Sequence, residues 1–263
     1  MTKHNNATFK RIAEQGMVLR TQVGSGLHGV TTGDDDRDEM GVCIEPPEYV
    51  IGIQHPPFEQ YEFRTQADHH RSGKGDLDLT VYSLRKYVRL AAAGNPTVLL
   101  LMHVPEQEIV SVNEIGRELM ASKDLFVTRN AAGKFLGYLN NQKARMLGEK
   151  SQRTNRPELV DVYGFDTKFA YHMVRLGIQG VEYLTTGNIT LPIAEPDRTW
   201  LKDLRAGKYT KQDALDRAYD LADQLAKLYV SADLPQYVDE NVLNRKLIDW
   251  YSVGWSDLAQ RAA

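Results

Sequence analysis

The sequence predicts an α+β protein: a small mixed β-sheet with helices, followed by a mostly α-helical half. Three observations lead there. Short apolar runs broken by glycine and proline crowd the first third of the chain, as strands do. Asp76-Leu77-Asp78-Leu79-Thr80-Val81-Tyr82 alternates polar and apolar residues without a break, which marks a half-buried strand. From Ser83 onward the apolar spacing becomes helical, and it stays so for most of the remaining chain.

The elements follow in order. Asn6 or Thr8 caps a first helix, whose apolar positions Phe9, Ile12, Ala13 and Met17 recur at helical spacing. Residues 19–23 read as a strand delivering a glycine-rich loop. Residues 40–44 and 49–53 read as strands separated by Pro46-Pro47, and 58–63 as another. The polar run 66–75 is an exposed loop. On the strand 76–82, Asp76, Asp78, Thr80 and Tyr82 share one face, and Leu77, Leu79 and Val81 the other. Leu84, Tyr87, Val88 and Ala91 then form the stripe of a helix that Gly94-Asn95-Pro96 ends. Further helices are predicted over 113–121, 131–147, 166–176, 196–205 and 212–229. Residues 148–157 are polar, basic and aperiodic, and read as a linker or mobile loop. The expected division is a sheet-bearing domain over 1–105 and a helical domain over 106–263.

At 263 residues, 42% hydrophobic and 25% charged, the composition is that of a soluble globular protein able to bury a substantial core. A net charge of −3 supplies no general attraction to nucleic acid and leaves only local basic faces for that purpose. Cys43 is alone, which removes an internal disulfide and a cysteine-rich zinc site; it reads as a small buried hydrophobe. The first residues lack the apolar stretch of a signal peptide, and the longest apolar run, 98–102, is far too short to span a bilayer. A cytoplasmic setting without a membrane partner is the expectation.

The chemistry concentrates in Gly24-Ser25-Gly26-Leu27-His28-Gly29-Val30-Thr31-Thr32-Gly33-Asp34-Asp35-Asp36-Arg37-Asp38-Glu39. Glycines let backbone N–H groups approach an anion, and the carboxylates that follow are hard oxygen ligands suited to Mg²⁺. Gly24, Gly26 and Gly29 formally match the dinucleotide fingerprint, but loop residues stand where that fingerprint needs a helix. Asp34, Asp36, Asp38 and Glu45 fall at calcium-loop positions, but Glu39 occupies the place of the required glycine. A third reading uses every part. The Gly-Ser pair cradles the phosphates of a nucleoside triphosphate through backbone amides and the Ser25 hydroxyl. Asp36 and Asp38, two apart on an extended segment, point the same way and hold a divalent metal. A carboxylate on an adjacent strand, Asp78 or in its stead Asp76, completes a two-metal site for phosphoryl transfer. Asp34 and Asp35 then shape the turn.

Gly24-Ser25, Asp36-x-Asp38 and a later strand Asp resemble the signature of the DNA polymerase β-like nucleotidyltransferase superfamily. More narrowly, Gly24-Ser25…Gly29…Thr32…Asp34-x-Asp36-x-Asp38…Gly41-Val42 is similar to a family of predicted bacterial and phage nucleotidyltransferases. Segments similar to Tyr82-Ser83-Leu84-Arg85-Lys86, Gly94-Asn95-Pro96, Lys168-x-x-x-His172-x-x-Arg175-Leu176, Thr186-Gly187 and Leu234-Pro235 extend the resemblance over nearly the whole chain. It implies that Ser25 binds phosphate and that Asp36 and Asp38 are metal ligands, with Mg²⁺ or Mn²⁺ as cofactor and an NTP as substrate. The helical half would complete the nucleotide and acceptor cleft. One departure is Gly26, where an Arg or similar residue often follows Gly-Ser, so a contact from that side chain is lost or supplied elsewhere. The implied reaction moves a nucleoside monophosphate to an acceptor hydroxyl with release of pyrophosphate. An RNA 3′ end is the first acceptor, because of a basic run and the family's association with RNA repair. A protein hydroxyl comes second and an antibiotic-like small molecule third. The rival is a catalytically idle nucleotide-binding or interaction protein, against which the intact carboxylates weigh.

Other residues have plainer accounts beside the functional one. Lys168, His172 and Arg175 share a helix face able to meet triphosphate, and an ordinary solvated surface has the same spacing. His28 is a phosphate contact or a loop histidine. Arg85, Lys86 and Arg89 complement phosphate charge or form surface salt bridges. Asn95 ends a helix or holds base or ribose. Adjacent His69 and His70 face oppositely on a strand and read as loop residues. Lys134, Lys143, Arg145, Lys150, Arg153 and Arg156 follow a nucleic-acid backbone, with Tyr138 to stack, or form a solvated face.

Overall fold

The computed structural model describes residues 4–31, 33, 36–53, 57–66, 73–150 and 156–262. The chain divides into two compact units. One comprises Met1–Ala92, Leu100–Leu125 and Asp239–Ala263; the other comprises Ala93–Leu99 and Phe126–Val238.

In the first unit the order is α1 (Ala7–Gln15), β1 (Met17–Gln22), α2 (Gly24–Leu27), β2 (Arg37–Cys43), α3 (Pro47–Val50), β3 (Gln60–Arg64), β4 (Leu77–Ser83) and α4 (Leu84–Ala92). Later in the chain β5 (Ile109–Val112), α6 (Glu114–Ala121) and α12 (Glu240–Ala262) join it. The sheet order is β3-β4-β2-β1-β5. Only β2 and β4 run parallel among these neighbours; the other pairs are antiparallel. The mixed sheet and the helical second half agree with the α+β expectation.

The Asn6 side chain accepts from the Phe9 N–H at 2.9 Å and starts α1. That helix buries Ile12 and Ala13 against Cys43, Tyr61, Leu79 and Val81. The apolar face of β4 is therefore inside, and Asp78, Thr80 and Tyr82 lie half-buried on the opposite face. The predicted stripe of α4, Leu84, Tyr87, Val88 and Ala91, is the buried one.

Residues 49–53, expected as a strand, instead end the helical turn α3 and a bend. Pro47 sits at the first helical position with its φ already set, and Ile51 and Ile53 are exposed, so no sheet face needs them. The loop expected at Gly24 is the short helix α2. Elements that went unpredicted include β5, α8 (Pro157–Tyr163) and α12.

The second unit contains α5 (Pro96–Leu99), α7 (Ala131–Met146), α8, α9 (Thr167–Thr186), α10 (Asp197–Arg205) and α11 (Lys211–Ser231). Helix α9 packs against α7, α10 and α11. It runs ten residues beyond the predicted end at Leu176 because its glycines are contact surfaces, not stops. A Cβ on Gly177 would lie 2.7 Å from Leu221 Cβ, and one on Gly180 would lie 2.8 Å from Phe135 Cγ. Gly187, at φ +73°, ends the helix in the left-handed conformation.

Candidate active site

The site begins where β1 hands the chain to α2. The Val23 N–H donates to the Asp38 carbonyl at 2.8 Å, tying this corner to β2. Gly24 follows with φ +77°, and a Cβ there would stand 2.2 Å from Asp38 Oδ2. Both the backbone angle and the space demand glycine. Closing the turn, the Gly29 N–H donates to the Gly26 carbonyl at 2.9 Å and the Val30 N–H to the Ser25 carbonyl at 3.0 Å. Ser25 is half-buried, whereas His28 is 3% exposed. Since β1 and β2 are antiparallel, the dinucleotide-binding βαβ unit is absent from this corner. Glu45, the last calcium-loop position, is buried against Tyr251.

Parallel pairing brings the acids together. Asp38 and Asp78 are register partners on β2 and β4, so their side chains leave the same face of the sheet. Asp36 lies one residue before β2. Asp36, Asp38 and Asp78, all half-buried, offer carboxylate oxygens within 4.8 Å of one another. Gln66 Nε2 donates to Asp78 Oδ1 at 2.9 Å, and Arg64 Nε lies 3.8 Å from the same oxygen. Like charges on directly opposite strand positions repel, and hard oxygen donors at this spacing fit Mg²⁺ or Mn²⁺. Asp76 is otherwise engaged. Its carboxylate accepts from the Gly73 N–H at 3.0 Å and the Thr65 hydroxyl at 2.8 Å, and these bonds hold its pKa below the ordinary carboxylate value. Asp34, Asp35 and Thr32 lie outside the described residues, as do His69, His70 and Arg153. Glu39, between Asp38 and Met40, belongs to the other sheet face, where Arg20 and Arg37 pair with it.

Lys168, His172 and Arg175 are on α9, in the second unit, all half-buried. Burial and then Arg175, Lys168, Arg156 and Arg205 push the His172 pKa well below its ordinary value. Spacing along α9 finds three members of this group; Arg156 and Arg205 arrive from other segments. A basic residue in the last turn of the predicted helix 196–205 was the available signal for Arg205. Phe169, Met173 and Leu176 pack inward, as expected.

Several other candidates have structural work. Asn95 Oδ1 accepts from the Thr97 N–H at 2.9 Å, and its Nδ2 donates to the Tyr138 hydroxyl at 3.0 Å. Lys86 donates to Gln60 Oε1 at 2.6 Å and lies 3.3 Å from Glu59. Within the basic run, Lys143 sits over the Tyr219 ring, Lys150 bonds Asn141, and Arg156 pairs with Asp166.

A family model described as "RlaP: RNA repair pathway DNA polymerase beta family" matches residues 1–240, and the chain belongs to that family of DNA polymerase β-like nucleotidyltransferases. A curated relative, the "Uncharacterized 38.9 kDa protein in nrdC-mobD intergenic region" of Enterobacteria phage T4, is 27% identical over 139 residues. That alignment covers 52% of this chain and 40% of the relative. Among solved structures, a nucleotidyltransferase-like protein from Exiguobacterium sibiricum 255-15 aligns with a TM-score of 0.29 and 11% identity. The alignment covers 97% of this chain and 72% of that one. Among the described residues no helix is long and apolar enough to cross a membrane.

Proposed function

We propose that the protein transfers a nucleoside monophosphate from an NTP to an acceptor hydroxyl, releasing pyrophosphate, and that the acceptor is an RNA 3′ end. The convergence of Asp36, Asp38 and Asp78 beside Gly24-Ser25 carries the reading. These three side chains hold the divalent metal, Mg²⁺ or Mn²⁺, which supplies charge neutralisation of the polyphosphate and a lowered pKa for the attacking hydroxyl. The chain's own contribution is positional. Gly24 keeps the backbone of the Gly-Ser turn against Asp38, so the Ser25 hydroxyl and nearby amides meet phosphate oxygens beside the carboxylates. Holding the donor phosphates and the acceptor oxygen in one geometry removes much of the entropic part of the barrier. Gln66 and Arg64 orient Asp78 from the side. His28 lies within the same turn and is buried there. In this reading Lys168, His172 and Arg175, on one face of α9, are nucleotide-binding residues.

The RNA acceptor is supported by the family's description and by the basic residues of α7 and the segment after it. Purified protein incubated with labelled NTPs, Mg²⁺ and cellular RNA should place label in RNA, and Asp36→Asn or Asp38→Asn should abolish it. Label that stays in protein after nuclease treatment would replace the RNA acceptor with a protein hydroxyl. Absence of any transfer, together with no calorimetric binding of Mg²⁺-NTP, would defeat the enzymatic reading.

A further inference from the structure

Within the second unit, α9 and α11 leave a cavity of about 530 Å³ that the turn before α10 helps to line. A volume of several hundred Å³ between packed helices is that of a small-molecule site. Its floor is apolar: Ile178 and Val181 come from α9, Leu221 from α11 and Ile193 from the turn. Ile193 and Leu221 are buried, whereas Ile178 and Val181 stay half-exposed on the open face of their helix. The polar lining is held in place. The Glu182 carboxylate accepts from the Thr190 N–H at 3.0 and 3.1 Å and from the Thr190 hydroxyl, which ties the turn leading to Ile193 back to α9. Arg217 pairs with Asp197 and lies over the Trp200 ring at 4.2 Å. Trp200 in turn stacks on Tyr209, with ring centroids 4.7 Å apart. Asp220, on the α11 wall, is exposed and has no partner among the described residues.

An apolar body gains free energy by leaving water for such a floor, and the charges around it decide which body enters. Arg217, the cation in the lining, is matched by Asp197. Glu182 meets the neutral donors of Thr190, and Asp220 meets none among the described residues, so two carboxylates keep their charge uncancelled. We propose that this cavity binds a small organic cation, an ammonium group carried on an aromatic or alkyl body. The body covers Ile178, Val181, Ile193 and Leu221, and the ammonium lies toward Glu182 and Asp220. An anion with the same body meets two like charges and loses the advantage of the floor. A bare metal ion gains nothing from the floor, and both Glu182 oxygens already accept from Thr190. Arg217, clamped between Asp197 and Trp200, serves as a wall rather than a ligand-binding charge. Nucleotidyl transfer has no part in this site, which stands or falls by its own chemistry.

Ligand-observed NMR titration of the whole chain with phenylbutylammonium, set against phenylbutyrate as an anion of matching length, tests it. Saturable binding of the ammonium at one site is expected, with the anion about tenfold weaker or more, since two attractions become two repulsions. Asp220→Asn should weaken the ammonium about two- to fivefold, the size of one exposed ion pair. Asp223→Asn, at an exposed position on the same helix and outside the lining, should leave it unchanged. Val181→Trp fills the space over the floor and should abolish binding. If that variant melts early, Gln224→Trp blocks the cavity from an exposed position on the α11 wall and should do the same. No saturable binding, equal affinity for the anion, equal losses at Asp220 and Asp223, or binding that survives a folded tryptophan variant would each overturn the proposal.

Discussion

Glu45 follows directly on Cys43-Ile44 at the end of β2 and is 3% exposed. The Tyr251 side chain on α12 hydrogen-bonds its carboxyl, and the Arg85 N–H donates to the Tyr251 hydroxyl at 3.1 Å. Its second oxygen, Oε2, has no hydrogen-bond partner. Burial therefore outweighs the bonds and the Arg85 charge, and lifts the carboxyl from 4.5 to about 7. The sign follows from proton counting. Between those values the folded chain keeps a proton that the unfolded chain has released, so stability falls as pH rises. The full benefit is present below 4.5 and is gone above 7. At 1.36 kcal/mol per pH unit the window is worth about 3 kcal/mol. Glu45→Gln removes the ionisation and keeps the shape, at a roughly constant offset for its amide. Urea unfolding followed by circular dichroism in EDTA, at pH 4.5, 6 and 8, should show the variant gaining on wild type by up to about 3 kcal/mol across the series. Comparing the two proteins at each pH cancels every other carboxylate. A difference that stays flat with pH would refute the reasoning, because it would mean that Glu45 titrates alike in both states.

Three further outcomes follow from the geometry. Gly24→Ala should lower nucleotidyl transfer, read as pyrophosphate release, by about 100-fold or more, with far-UV circular dichroism unchanged, because its Cβ collides with the Asp38 carboxylate; retained activity would show that the turn tolerates the shift. Asp78→Asn should remove activity in the same assay, while Asp76→Asn should spare the rate and loosen the turn held by Gly73 and Thr65, seen as faster proteolysis of the stretch before β4. Gly180→Ala should cost up to about 2 kcal/mol in urea unfolding, since about 1–3 of overpacking against Phe135 and Leu225 is offset by a gain of about 1 in helix propensity.

Where periodicity records one face of one element, the sequence was readable. The stripe of α4 and the alternation of β4 each describe a surface that must be buried, and the buried residues are the ones named. Local rules misled where a tertiary contact reverses their sign. Gly177 and Gly180 look like helix breakers by propensity, but each lets a neighbouring helix approach closer than any side chain would permit. Apolar residues at 49–53 look like strand, but Pro47 starts a helical turn and Ile53 stays in solvent. Helix α12 hides because its apolar residues go all round: Leu243, Trp250 and Tyr251 are buried, while Ile248 and Val253 are exposed.

The candidate site divides along the same line. Asp36-x-Asp38 is a local pattern, and its shared direction follows from the pleat. The choice between Asp76 and Asp78 is not local, because both lie on one face of the same run. Parallel register with β2 places Asp78 opposite Asp38, while hairpin closure draws Asp76 toward Thr65. The cations around His172 depend still more on tertiary structure. Lys168 and Arg175 are visible at helical spacing, but Arg156 and Arg205 come from segments 16 residues before and 33 after His172. What places them is Asp166 and Thr167 at the start of α9, two residues whose sequence pattern announces only a helix cap. A capping site that also collects guanidinium groups has two separable duties, and Asp166→Asn divides them: the amide can still cap the helix, but the charge that holds Arg156 is lost.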